Sequence, residues 1–191
     1  SSAAMRKDDD KAFVAWVDKA IAGYYGSGQT QKWYEEFLTG FGLATTFPTG
    51  DAGKGLYVPA DVAEAVLTDL VPRADIVAPN TWELQRMTGA EARTPTQALH
   101  SARLLGKPVL VSSVQRGSEI GVVYADKKEA WLAAHQRADS APKGTGDLLS
   151  ALYDAALIDG LTTSYALARA VSGVAETIVA AQTFGSAELP I

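Results

Sequence analysis

The chain has 191 residues, 47% of them apolar and 20% charged, enough for one globular body with a sizeable core. Its net charge of −5, with Lys and Arg scattered along the sequence, excludes a broad surface for nucleic acid or for an anionic membrane. The absence of Cys excludes disulfides, thiolate zinc sites and cysteine nucleophiles and fits a reducing cytoplasm, and His100 and His135 alone give no basis for a histidine metal site.

No stretch approaches the roughly 18 apolar residues of a membrane span. Ser1-Ser2-Ala3-Ala4 shows no basic segment followed by an apolar one, so no secretory signal is expected. Asp8 to Asp10 can cap a first helix whose apolar residues Phe13, Val14, Trp16, Val17, Ala20 and Ile21 recur at helical spacing. A second short helix is expected around Trp33, Tyr34, Phe37 and Leu38. Pro48, Gly50 and Gly53 then break the periodicity, and the expected boundary separates a helical segment, residues 1–48, from a second part, residues 49–191.

Beyond the boundary, helices alternate with short apolar strands, the pattern of a layered α/β fold with a mostly parallel sheet. Pro59 opens a helix through Val62, Val66 and Leu70. Ile76-Val77-Ala78 is a strand, and Asn80 caps a helix bearing Trp82, Leu84 and Met87. Thr94-Pro95 is an N-cap with a first-turn proline, starting a helix that stops at Gly106. Val109-Leu110-Val111 reads as a buried strand. Gly121 to Tyr124 and Ala130 to Leu132 flank the polar turn at Asp126 to Glu129 and read as a hairpin at the sheet edge. Two longer helices follow, one from Thr145 through Leu149 and Leu152, the other from Ser164 through Val171 and Ile178. Trp82 and Trp131 are expected to pack.

Lys143-Gly144-Thr145-Gly146-Asp147 lies between Pro142 and an apolar helix, which puts consecutive backbone N–H groups at a helix N-terminus, an anion site. Gly144 and Gly146 let the backbone approach a phosphate closely, and Asp147 in the first turn could accept a proton from an attacking hydroxyl. The same residues also suit an ordinary capped helix start, with Asp favourably placed against the dipole.

Gly144-Thr145-Gly146-Asp147 with Leu148-Leu149-Ser150-Ala151-Leu152 resembles the catalytic signature of ribokinase-like kinases, in the form found in bacterial pyridoxal kinases. Further pieces occur in family order. Gly50-Asp51 with Gly55-Leu56-Tyr57-Val58-Pro59 is similar to the family's earlier loop. Ala74-Asp75-Ile76-Val77-Ala78-Pro79-Asn80 with Glu83-Leu84 is similar to its strand-to-helix segment, and Val109-Leu110-Val111-Ser112-Ser113 to its phosphate-facing strand. The resemblance runs from about Gly50 to Gln182.

What the resemblance implies is a three-layer ribokinase-like fold, truncated, that uses ATP and Mg2+ to phosphorylate the hydroxymethyl group of pyridoxal or a related B6 vitamer. It implies Asp147 as general base, the amides of Gly144, Thr145 and Gly146 as the anion hole, and Asn80 and Glu83 as organisers of magnesium, largely through water. Ser112 would touch phosphate, Asp51 and Tyr57 would lie near the triphosphate, and Lys143 could add positive charge. Read from spacing alone, Asn80 and Glu83 are also a capping box, and Lys143 an exposed loop lysine.

The sequence departs from the family pattern in two places. Thr46-Phe47-Pro48-Thr49 precedes Gly50-Asp51 where the family has Asp-Pro, so one carboxylate is missing, and the N-terminal half that shapes the pyridine pocket is not present in residues 1–46. Instead, Met5-Arg6-Lys7-Asp8-Asp9 with Phe13, Val17-Asp18, Ile21-Ala22, Ser27-Gly28 and Lys32-Trp33-Tyr34-Glu35-Glu36-Phe37 resembles the end of an amino-acid-binding protein of an ABC importer. Gly23-Tyr24-Tyr25-Gly26-Ser27 offers a rival likeness to a kinase segment. A sheet short of strands leaves an open edge, from which a homo-oligomer is expected. A non-catalytic nucleotide-binding remnant and a solute-binding or interaction module on a kinase scaffold stand as alternatives.

Overall fold

The computed structural model describes residues 44–45, 49–138 and 140–184. The residues that carry both N-terminal resemblances, and the helices expected around Phe13 and Trp33, lie outside them. The chain divides into two units, Ser1–Gly42 and Leu43–Ile191, and every described element belongs to the second.

In chain order these are β1 (Ala44–Thr45), β2 (Gly50–Asp51), β3 (Gly55–Leu56), α1 (Ala60–Ala65), β4 (Ile76–Val77), α2 (Thr81–Thr88), α3 (Pro95–Leu104), β5 (Val109–Arg116), β6 (Glu119–Ala125), β7 (Ala130–Gln136), α4 (Thr145–Ile158) and α5 (Thr163–Phe184). α1 follows Pro59 and runs on through a wide helical turn, Val66–Leu70, and a tight one, Val71–Arg73. The capping box expected at Asn80 forms, and the expected N-cap Thr94 proves to be part of a second one. Asn80 with Glu83 starts α2, and Thr94 with Gln97 starts α3, with Pro95 in its first turn.

Five strands make one sheet in the order β1-β4-β5-β6-β7, and β2 pairs with β3 in a separate ribbon. β1, β4 and β5 are parallel, whereas β6 and β7 join antiparallel. The sheet is therefore mixed, with β6 alone running against the other four strands, in keeping with a mostly parallel sheet that carries an edge hairpin. Only Gly117 and Ser118 separate β5 from β6, and a two-residue connection can only return the chain antiparallel. The expected edge hairpin is present and longer than its sequence cues, β6 running from Glu119 to Ala125 and β7 from Ala130 to Gln136.

Two cores sandwich this sheet. Val109, Val111, Val123 and Ala125 face Leu84 of α2 and Ala98 and Ala102 of α3. Leu110, Val122 and Tyr124 face Leu149 and Tyr153 of α4 and Leu167, Val171, Val174 and Ile178 of α5. The strict alternation along β5 and β6 assigns each residue to its layer, and the result is the expected three-layer arrangement. The alternation shifts once. The register slips between Val111 and Val114, Ser113 takes a left-handed backbone at φ 63°, and Val114 thereby rejoins the face of Val111.

The topology fixes which end of the sheet receives α4. β7 ends at Gln136, paired with Glu119, and Glu119 in turn pairs with Arg116 at the end of β5. The chain leaves the sheet where β5 finishes. Two turns into α4, Tyr153 lies beside Tyr124 with ring centroids 6.1 Å apart, and Tyr124 pairs with Leu110 near the start of β5. α4 thus runs antiparallel to β5, with its N-terminus at the carboxyl ends of the parallel strands, the end at which α/β sheets bind ligands.

Candidate active site

Asn80 follows β4 and forms an isolated parallel bridge with Ser112, whose amide donates to Pro79 O at 3.0 Å. Both expected phosphate-side residues therefore stand side by side, Asn80 just after β4 and Ser112 midway along β5. Asn80 Oδ1 accepts from the Glu83 amide at 2.9 Å and Glu83 Oε2 accepts from the Asn80 amide at 2.9 Å, so the capping box is realised. Glu83 does more than cap. It is only 5% exposed, and its Oε1 accepts from the Thr49 amide at 2.7 Å, the Thr49 hydroxyl at 3.3 Å and the Gly50 amide at 3.3 Å. Asn80 Nδ2 donates to Gly50 O at 2.9 Å.

The β2–β3 ribbon is tied to this helix start. Asp51 Oδ1 accepts from the amides of Gly53 at 2.7 Å and Lys54 at 2.8 Å, closing the turn, while the Tyr57 hydroxyl donates to Asp51 Oδ2. Tyr57 is 48% exposed, and its amide donates to Thr49 O at 2.8 Å. Asp51, Tyr57, Asn80, Glu83 and Ser112 are thus brought into one connected group.

The second group is the start of α4. Gly144 is its N-cap at φ 88°, a conformation suited to glycine, and no side chain caps the first turn. The amides of Thr145 and Gly146, at the first two helical positions, are left open with the positive end of the helix dipole behind them. Ser150 Oγ donates to Gly146 O at 3.1 Å, so that hydroxyl is spent inside the helix. Asp147 at the third position is exposed, as is Lys143 before the turn. No hydrogen bond among the described residues joins this group to the first, but both stand at the same end of the sheet.

These residues fit a phosphate. An uncapped helix N-terminus preceded by a left-handed glycine presents donors to an anion without a Cβ in the way. They fit magnesium only indirectly. Among the described residues no three acidic or histidine side chains gather around one point, and both oxygens of Glu83 and of Asp51 already accept hydrogen bonds. That agrees with an ion held through water and substrate phosphates, the usual mode for magnesium.

The sequence profile of the phosphomethylpyrimidine kinase family matches residues 51–191. The chain belongs to this family. Similar proteins include a pyridoxine/pyridoxal/pyridoxamine kinase of Bordetella avium, 35% identical over 148 residues that cover 73% of this chain and 50% of the relative. A pyridoxal kinase, PdxY, of Corynebacterium diphtheriae is 35% identical over 151 residues, covering 74% and 53%. Among solved structures, the pyridoxal kinase of Entamoeba histolytica superposes with a TM-score of 0.66 at 26% identity, over 74% of this chain and 52% of that one. The fold is therefore ribokinase-like, and the chain spans about half the length of the curated relatives it matches. The family match begins at residue 51, so it lends nothing to the importer-like reading of residues 1–46.

Sequence reasoning treats Trp82 and Trp131 alike as packing residues, and the structure separates them. Trp131 is 45% exposed on the outer strand β7, its Nε1 donating to Glu129. Trp82 lies against Gly50. Thr49 is a site residue that the sequence reading misses. Its signal is faint, a threonine two residues before an acidic turn, with nothing to show that its hydroxyl and amide meet a glutamate 34 positions away.

Proposed function

We propose that this chain is the nucleotide-binding and catalytic part of an ATP- and Mg2+-dependent kinase that phosphorylates the hydroxymethyl group of pyridoxal or a related vitamin B6 vitamer. The observation that carries the reading is the uncapped, glycine-preceded start of α4, with Asp147 exposed in its first turn, at the carboxyl ends of β4 and β5. Membership of the phosphomethylpyrimidine kinase family and the pyridoxal kinases among its similar proteins support the substrate class.

Phosphoryl transfer asks a protein mainly for positioning and charge stabilisation. In this reading Asp147 takes the proton of the attacking hydroxymethyl oxygen as that oxygen bonds the terminal phosphorus, and the bridging oxygen leaves with ADP. The amides of Gly144, Thr145 and Gly146 hold the charge that develops on the phosphoryl oxygens. Lys143 and Ser112 add phosphate contacts, and Asn80, Glu83, Asp51 and Tyr57 face the metal and triphosphate from the other side. A cytoplasmic location and self-association along the β1 edge, unpaired among the described residues, belong to the same proposal.

A steady-state assay of ADP release with pyridoxal tests it. Wild type should turn over slowly, since much of the rate comes from positioning and this chain spans half the length of similar kinases. Asp147→Asn should lower turnover by about 100- to 10,000-fold while MgATP affinity, read by calorimetry, stays nearly unchanged. Equal turnover in the two proteins removes Asp147 as the base. MgATP binding without any turnover favours the second reading, a nucleotide-binding remnant, which the half-length match supports.

A further inference from the structure

The first turn of α2 holds Gly50 from three sides. Asn80 Nδ2 donates to its carbonyl at 2.9 Å, and Glu83 Oε1 accepts from its amide at 3.3 Å. On the third side, a Cβ added at Gly50 would meet Trp82 Cζ3 at 2.5 Å and Cη2 at 2.8 Å. Thr49, 6% exposed, adds two further bonds to the same carboxylate. Hydrogen bonds from amides to an ionised carboxylate are among the stronger ones, and the buried Glu83 accepts from three such amides.

Everything beyond Gly50 in this ribbon hangs on that grip. Asp51 is the next residue, its carboxylate closes the turn through Gly53 and Lys54 and accepts from Tyr57, and the Tyr57 amide returns to Thr49 O. The turn is a small closed loop, and its anchor among the described residues is the start of α2. A Trp suits the task because it has only two side-chain torsions to restrain and a large flat face, which only a glycine can approach this closely.

We propose that Trp82 is a positioning residue that, with Thr49 and Glu83, sets where the Asp51 carboxylate stands toward a magnesium-bound nucleotide. The proposal rests on the nucleotide reading above. In it Glu83 acts first as a tether for the 49–57 loop, and Trp82 acts only through Asp51, touching neither metal nor phosphate.

The test is a double-mutant cycle read by MgATP calorimetry, with Trp82→Ala, Asp51→Asn and the double variant, and Trp82→Phe as the conservative rescue. Trp82→Ala should weaken MgATP about tenfold when Asp51 is intact and less than about twofold in the Asp51→Asn background, a coupling within the range of contacting networks. Trp82→Phe should restore most of the affinity. Equal losses in both backgrounds, or none in either, overturn the proposal. Amide hydrogen exchange reads the clamp without nucleotide. Trp82→Ala should speed exchange at Gly50, Gly53 and Tyr57 at least about tenfold and leave β6 unchanged, whereas unchanged exchange at those three amides overturns it. If wild type binds no MgATP, the nucleotide reading is lost, and the exchange result still decides whether Trp82 holds the loop.

Discussion

Gly50 shows how little freedom a single residue in this site has. A Cβ there would lie 2.3 Å from Gly55 O on the paired strand as well as inside the Trp82 ring. The carbonyl belongs to backbone already paired in the β2–β3 ribbon and cannot swing away as a flexible side chain would. Gly50→Ala should therefore cost about 1–3 kcal/mol of stability, the usual range for overpacking. Urea unfolding followed by circular dichroism measures it. Pairing the change with Trp82→Ala should recover only part of the loss, because the carbonyl clash remains. Full recovery would show that the indole alone excludes a side chain at this position.

At the scale of elements, the tight turn that ends the α1 segment is locked by a side chain from elsewhere in the chain. Lys107, just before β5, donates from Nζ to the carbonyls of Val71 at 2.6 Å, Pro72 at 3.0 Å and Ala74 at 2.8 Å. These carbonyls lie at a helix end, where a cation is favoured by the dipole as well. The lock joins the α1 segment to the start of β5, and so to the strand that carries Ser112. Lys107→Met keeps the aliphatic stem and removes the donors, and it should destabilise the protein by about 1–3 kcal/mol. Urea midpoints compared with Lys107→Arg, which retains charge and donors, distinguish a lost hydrogen-bond hub from lost packing.

For the whole molecule, the layer between sheet and α4 carries a titration that links pH to folding. Burial, and then the nearby Asp126 carboxylate that accepts a hydrogen bond from its hydroxyl at 3.1 Å, push the Tyr124 phenol up to about 12 from 10.0. Tyr153 beside it is raised as well, chiefly by burial. A phenol held protonated in the folded state keeps its proton when the unfolded chain has begun to lose it. Its contribution is intact below pH about 10 and is lost as pH rises toward about 12. Stability measured in fixed urea should fall across that window, and Tyr124→Phe should flatten the fall. An unchanged alkaline profile in Tyr124→Phe would assign the loss to other groups.

The local pattern of the sequence determined most of the elements of the second unit. The capping box at Asn80, the N-cap at Thr94, the proline in the first turn of α3 and the glycine stop at Gly106 act within a few residues, and all appear where their spacing put them. The glycine-rich start of α4 was legible for the same reason, since a left-handed glycine before an uncapped first turn is a local arrangement of backbone. Long-range contacts decided the rest. The mixed sheet followed from a two-residue turn whose partner strands proved longer than their apolar cores, and the bulge at Ser113 from the need of Val114 to rejoin a core built by α2 and α3. The double use of Glu83, as cap and as tether of Thr49 and Gly50, depends on a meeting across 34 positions, and so does the value of Trp82. Periodicity reports which face of an element is apolar. It carries no information about which distant backbone amides a buried carboxylate will find, because that is settled only when the layers pack.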